Sequence, residues 1–260
     1  MIELRELTTP EELQEVNALE TRIWATEIVP PHLTITNVKN GGIMIGAYAD
    51  GKLCGFSYGF PGFRDGEVYL CSHMLGVDEP YRSCGIGEKL KQKQREIALR
   101  KGYRKMNWTF DPLETRNAYL NLTKLHGITH TYIENCYGDM EDGLNQGLPS
   151  DRLELHWHLE SPHVTGREIS FPETIIPFNS ITFTKDELPV YVTNHIGNLT
   201  AEAYSLLVPK DFQHLKQTNK NRALDWRLKT RYAFQRLFQA GFTAVELRVM
   251  DQYAAYIFIK

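Results

Sequence analysis

The stretch Val77-Asp78-Glu79-Pro80-Tyr81-Arg82-Ser83-Cys84-Gly85-Ile86-Gly87-Glu88-Lys89-Leu90 decides the reading of this chain. An apolar, strand-like segment from Glu67 to Val77 runs into a turn marked by Pro80. The turn ends in Arg-x-x-Gly-x-Gly, and a helix begins at once. That order gathers backbone N–H groups at a helix N-terminus, where the dipole and the unpaired donors favour an anion. Gly85 and Gly87 allow close approach of a ligand to the backbone, and Arg82 adds a fixed charge suited to phosphate oxygens. Other phosphate motifs fit less well. A P-loop needs Gly-x-x-x-x-Gly-Lys-Ser/Thr, and a dinucleotide fingerprint needs a third Gly where Leu90 stands. A lone Gly-x-Gly would read as a plain strand-to-helix turn. The preceding strand, the Arg at fixed spacing and the long following helix favour a phosphate site.

Around this core the chain has 260 residues, enough for one large domain or two small ones. It is 42% hydrophobic and 23% charged, as soluble globular chains are. A net charge of −3 without a basic block argues against nucleic-acid binding. No apolar run approaches membrane-spanning length, and the charged start Met1-Ile2-Glu3-Leu4-Arg5-Glu6 is unlike a signal peptide. Cys54, Cys71, Cys84 and Cys136 form no C-x-x-C pair and read as reduced thiols of a cytoplasmic protein.

The alternation of Ile2 to Leu7 predicts a strand. Thr9-Pro10-Glu11-Glu12 predicts a helix start. Pro30-Pro31 breaks the chain before a short second helix. Ile43 to Ala49 and Leu53 to Phe60 read as a hairpin about Asp50-Gly51, and Pro61-Gly62 and Asp65-Gly66 bracket another turn. A helix is expected from Ile86 to Arg100, a strand from Lys105 to Phe110 and a helix from Glu114 to Leu125. Thr129 to Tyr137 and Arg152 to Leu159 read as strands. The order predicts a mixed α/β sheet with helices on its faces. A boundary is expected near Ser161 to Phe171, dividing residues 1–160 from a C-terminal α+β extension, 161–260. In that extension Thr174 to Ile181 and Val190 to Ile196 read as strands. Leu199 to Gln239 reads as helix-rich, its last helix packing through Leu224, Leu228, Ala233, Phe234, Leu237 and Phe238. A hairpin of Thr243 to Val249 and Tyr253 to Ile259 closes the chain.

The segment Leu75-Gly76-Val77 followed by Arg82-Ser83-Cys84-Gly85-Ile86-Gly87 resembles the acyl-CoA motif of the GNAT superfamily of N-acyltransferases. The resemblance extends over about the first 160 residues and leaves the rest unexplained. It implies a mostly antiparallel sheet with helices on both faces. It also implies transfer of an acetyl or succinyl group from acyl-CoA to the amine of a small molecule. In that family the strand before the motif splays from its neighbour, so Leu75, Gly76 and Val77 would offer backbone groups to the pantetheine and the thioester carbonyl. Pyrophosphate would meet the N–H groups of residues 82 to 87. A His or Glu on this strand often serves as general base, which points to His73, with Glu67 farther along the same face. By period two, Cys71, His73, Leu75 and Val77 share a face. Asn117 matches a position that commonly contacts the cofactor. A Tyr commonly stands two residues before the helix-ending Lys as general acid. Here that position is Leu122, and Tyr119 lies one turn earlier as a substitute. The resemblance leaves open the acyl donor, the amine, the acid, the oligomeric state (a homodimer included) and a non-catalytic acyl-CoA sensor.

The remaining motifs carry less. His156-Trp157-His158 lacks a completing ligand, and Asp139, Glu141 and Asp142 lack calcium-loop spacing, so no metal is expected. Cys84 stands at a helix N-terminus, where thiols gain reactivity. The C-terminal third resembles a bacterial GNAT branch with an added region, some of whose members are associated with N-acylamino acid racemases and with succinyl-CoA-dependent acylation of amino acids. The residues are Asp151-Arg152-Leu153, Pro209-Lys210-Asp211-Phe212, Trp226-Arg227 and Thr230-Arg231. For an amino acid carboxylate the available cations are Arg152, Arg227 and Arg231, each also a candidate for ordinary ion pairing.

Overall fold

The computed structural model describes residues 2–24, 29–138, 147–166, 169–194 and 197–260. The chain forms two compact units: residues 1–108 with 157–161, and residues 109–156 with 162–260. The acidic turn of Asp139, Glu141 and Asp142 lies outside the described residues.

In the first unit, β1 (Ile2–Glu6), β2 (Ile43–Ala49), β3 (Lys52–Arg64), β4 (Glu67–Val77) and β5 (Lys105–Phe110) lie side by side in that order. Neighbours are antiparallel except β4 and β5, which run parallel. Helix α1 (Pro10–Trp24) begins with a capping box. Glu12 N donates to Thr9 Oγ1 at 3.3 Å, and Thr9 N donates to Glu12 Oε2 at 3.0 Å. Leu13, Val16 and Leu19 of α1 and Val38 of α2 (Pro31–Lys39) join Phe56 and Tyr58 in one buried cluster. Helix α3 (Ile86–Arg100) covers the opposite face: a Cβ on Gly55 would meet Ile86 and Leu90.

The β2–β3 turn is Asp50-Gly51, both with positive φ, as a two-residue hairpin of this kind requires. The turn expected between Pro61-Gly62 and Asp65-Gly66 is shorter than that, because its first part is strand. Pro61 pairs with Leu70 and Gly62 with Tyr69, and the chain reverses at Asp65-Gly66. Past Gly59, β3 no longer pairs with β2, so no β2 ladder bond is asked of Pro61.

The second unit holds α4 (Thr115–Ala118), running into a π-helical segment (Tyr119–Lys124), then β6 (Ile128–Ile133) and β7 (Arg152–His158). After these come α5 (Pro162–Thr165), β8 (Ile176–Pro177), β9 (Asn179–Phe183), β10 (Pro189–Thr193) and β11 (Ala203–Pro209). Helices α6 (Phe212–Thr218) and α7 (Lys220–Gln239) precede the closing strands β12 (Thr243–Val249) and β13 (Tyr253–Ile259). Its strands run in the order β7-β6-β12-β13-β11-β8, with β9 and β10 as a separate pair.

Two expectations fail here. The start of the helix-rich stretch is the strand β11, seven residues paired along their length with β13. A short apolar run such as Ala-Tyr-Ser-Leu-Leu-Val has no period that separates a buried strand from a buried helix. Helix α7 also turns a different face inward. Leu224 and Leu228 are exposed, while Trp226, Arg227 and Thr230 are buried together with Ala233, Phe234 and Leu237. The inward face is partly polar because Arg227 has a buried partner, Asp111.

Candidate active site

The site residues of the first unit follow β4 into α3. The β4–β5 ladder holds only the pairs Leu70 with Met106 and Cys71 with Asn107, while β4 continues to Val77. Leu75, Gly76 and Val77 therefore pair with β3 on one side, opposite Ser57, Phe56 and Gly55, and leave the β5 ladder behind on the other. The strand separation implied by the resemblance is present in this form.

Just beyond the last β5 pair, β4 carries a bulge. Tyr58 faces Met74 and Phe60 faces Cys71, so Ser72 and His73 together oppose Gly59. The bulge breaks the expected alternation. His73 lies on the side of Tyr58 and Phe60, with ring centroids 6.3 and 5.6 Å away. Met74 and Gly76 face that same side: Met74 packs on the α1–α2 cluster, and a Cβ on Gly76 would meet Ile23 and Phe56. Val77, paired with Gly55, faces α3. The single face drawn through His73, Leu75 and Val77 is thus split in two. His73 is exposed, yet the neighbouring rings take part of the imidazolium out of water and hold its pKa below the ordinary histidine value.

After Val77 a single 3₁₀ turn, Glu79–Tyr81, is capped by Asp78, whose carboxylate accepts from Glu79 N at 3.0 Å. Arg82 N donates to Glu79 O at 3.1 Å, so this N–H belongs to the turn and drops out of the set assigned to pyrophosphate. The Arg82 side chain is exposed, and its Nε donates to Val77 O at 3.2 Å. Ser83 and Gly85 both have positive φ, 68° and 74°, on either side of Cys84. Alternating backbone hands of this kind turn successive N–H groups into one concavity, an anion nest. A Cβ on Gly85 would meet nothing within 4 Å, so its left-handed φ alone calls for glycine. Lys89 N makes the first bond of α3, to Gly85 O at 3.1 Å. The N–H groups of Ile86 and Gly87 thus precede any carbonyl of their own helix. Cys84 is exposed, with Sγ 3.6 Å from Arg82 O.

One feature of this region went unseen in the sequence. Lys91 on α3 is 2% exposed, and its Nζ donates to Ser72 Oγ at 2.7 Å. The same Nζ lies 3.6 Å from the centroid of the Trp108 ring on β5. Ser72 Oγ donates in turn to Gln94 Oε1 at 2.5 Å. Burial pulls the Lys91 pKa down to about 7, against a smaller opposing pull from Cys71. The available signal was helical spacing, since Lys91, Gln94 and Ala98 fall on one stripe beside the apolar Leu90 and Ile97.

Residues 2–126 match the sequence model of the acetyltransferase (GNAT) family. These residues form a GNAT acetyltransferase domain. The match covers just under half of the chain and supports acyl-CoA-dependent acetyl transfer as its chemistry. No curated protein matches it. Among solved structures it is similar to a GNAT-family acetyltransferase from Streptococcus pneumoniae, with 17% identity over 60% of this chain and 98% of that one, TM-score 0.49. It is also similar to the ribosomal-protein-S18-alanine N-acetyltransferase of Escherichia coli, with 16% identity over 66% and 100%, TM-score 0.49. A third is Arabidopsis thaliana Naa50 in complex with a CoA–peptide bisubstrate analogue, with 17% identity over 60% and 97%, TM-score 0.47.

Asn117 and Tyr119 belong to the second unit. Asn117 is exposed on α4. Tyr119 opens the π-helical segment and borders a recess of about 630 Å³ with Arg116, Thr123, Lys210 and Arg248. Leu122, where the family often has Tyr, is fully buried. In the π-helical turn Leu125 N bonds Leu120 O, one residue farther back than in an α-helix, so positions counted from Lys124 by the α period do not hold.

The arginines offered for a carboxylate are committed elsewhere. Arg227 holds Asp111 through two bonds of 2.9 and 2.5 Å, and Arg231 holds Asp151 through two of 2.8 Å. Arg152 Nη1 donates to Asp151 O and lies 3.8 Å from Asp111. His156 is buried against the ring of His130, stacked at 4.5 Å, and among the described residues no group of three ligand side chains could hold a metal.

Proposed function

We propose that this acetyltransferase moves an acetyl or succinyl group from acyl-CoA to the amine of a small molecule, with amino acids among the candidates. The observation that carries the cofactor site is the sequence of bulge, free strand end and anion nest along β4 and into α3. The N–H groups of Ser83 to Gly87 and the charge of Arg82 suit a pyrophosphate. Backbone groups of Leu75, Gly76 and Val77 suit the pantetheine amides, and one of their N–H groups would polarise the thioester carbonyl.

In this reading His73 is the general base. It takes a proton from the acceptor ammonium, directly or through a water. The amine nitrogen then attacks the carbonyl carbon, the C–S bond breaks, and the thiolate leaves with a proton from water or from Tyr119. The resemblance alone assigns Asn117 to the cofactor and Tyr119 to the acid, and the variants N117A and Y119F test each. A non-catalytic acyl-CoA sensor is the second reading. Leu122 favours it, since it removes the usual acid.

Titration calorimetry with CoA, acetyl-CoA and succinyl-CoA tests the cofactor site. Saturable binding with a preference among the three is expected, followed by release of free thiol on an amino acid and amine panel. Failure to bind any of them would sink both readings. Binding without thiol release on any amine would leave the sensor.

A further inference from the structure

We propose that Lys91 is a positioning residue, a buried strut that fixes the bulge of β4 and the point where β4 and β5 part. Its ammonium touches both strands at that point. It donates to Ser72, the first residue of the bulge, at 2.7 Å, and it sits 3.6 Å over the ring of Trp108, which follows Asn107, the last β5 residue of the ladder. A lysine suits this task because one compact charge can serve a hydroxyl and a π-face at once.

The cluster leaves little freedom. Ser72 Oγ is held twice, by Lys91 and by Gln94, and both partners come from α3. Opposite the bulge stands Gly59, where a Cβ would lie 3.0 Å from Cys71 O and 3.1 Å from Gln94 Nε2. A side chain there would press on the Cys71 carbonyl and on Gln94. With Ser72 drawn towards α3, the next residue, His73, is set on the other side of the strand with Tyr58 and Phe60. A lysine 2% exposed is a costly choice for a helix that could have used an apolar residue. The depressed basicity agrees with that cost. Its position explains why the cost is carried, since the strut sets both the place of the candidate base and the gap proposed for the pantetheine.

The strut rests on geometry alone, whereas what enters the gap rests on the acyl-CoA reading above. The test separates the two. Binding of 3′,5′-ADP, which reports on the nest, and of acetyl-CoA, which reports on nest and gap together, is measured by calorimetry for wild type, K91M and S72A. The His73 Cε1–H resonance is recorded for each at one pH. Affinity for 3′,5′-ADP should stay within about two-fold of wild type, affinity for acetyl-CoA should fall about ten-fold, and the His73 resonance should move. S72A removes the Lys91 acceptor without touching the charge and carries the test if K91M does not fold. An unmoved resonance, an unchanged acetyl-CoA affinity or an equal loss for both ligands would overturn the strut. Wild type that binds neither ligand would instead remove the acyl-CoA reading, and the resonance alone would then decide the strut.

Discussion

Replacing Lys91 by Met should change how the stability of the first unit depends on pH. The ammonium is buried against Ser72 and Trp108, and its pKa falls from an ordinary 10.5 to about 7. Between those values the unfolded chain holds a proton that the folded chain has lost. Stability therefore rises with pH across this window, at about 1.4 kcal/mol per pH unit where the difference is one full proton. Over the whole window the gain is at most about 5 kcal/mol. Below pH 7 both states are protonated and the penalty for burying the charge is felt in full. Met fills a similar volume without the charge, so K91M should lack this slope. The difference K91M minus wild type should be largest near pH 6 and shrink steadily towards pH 10. Hydrogen exchange of the α3 amides, read at several pH values in mild urea, reports this unit without assuming that the whole chain unfolds as one. Among the described residues Cys71 is the titratable side chain that acts on Lys91, so both proteins are also compared in a C71S background. Parallel pH profiles for wild type and K91M would refute the reasoning, because they would mean that Lys91 keeps its proton in the fold.

Three further outcomes are expected. G85A should cost about 1–2 kcal/mol through its positive φ alone, since a Cβ there meets no neighbour. G85E should abolish CoA binding in calorimetry while melting close to G85A, because its added charge faces the nest. For the wild-type enzyme kcat/KM should rise with pH through a midpoint below 6.5, as a base desolvated by its neighbours would give, and H73A should remove that limb and lower kcat more than CoA affinity. D111A should destabilise the second unit by about 3–5 kcal/mol, because it strands the guanidinium of Arg227, itself 2% exposed, and the double variant D111L/R227M should recover more than half of that in urea unfolding.

The sequence made local devices legible and long-range ones not. Asp50-Gly51, the Thr9–Glu12 cap and the strand–turn–helix around Gly85 each depend on a few adjacent residues, and all stand as read. The bulge at Ser72-His73 could not be read, because its cause lies on another element, at Lys91 and Gln94 of α3. Period two therefore fails across the bulge, and His73 shares a side with Tyr58 and Phe60, apart from Leu75 and Val77. The same limit applies to β11, whose apolar run is compatible with either period until its pairing with β13 is known. It applies again to the π-helical turn, where one extra residue per turn moves every later side chain off the α-helical count.

Charge explains why the expected boundary near Ser161 does not coincide with the division into compact units. Asp111 and Asp151 belong to the stretch of sequence assigned to the first domain, while their partners Arg227 and Arg231 sit on α7 of the extension. Asp151 is fully buried and also accepts from Tyr132 Oη at 2.7 Å and from Asn135 N at 3.0 Å. A chain truncated before α7 would leave both carboxylates buried or nearly so without their cations, which is far more costly than never having built the pairs. The extension is accordingly an integral part of the second unit, and the region where the family match ends, at residue 126, is not a place where this chain can be cut. Residues 1–160 expressed alone should be insoluble or should expose 109–156 to protease, whereas a stable, monodisperse fragment would show that the two arginines of α7 are dispensable to the carboxylates they hold.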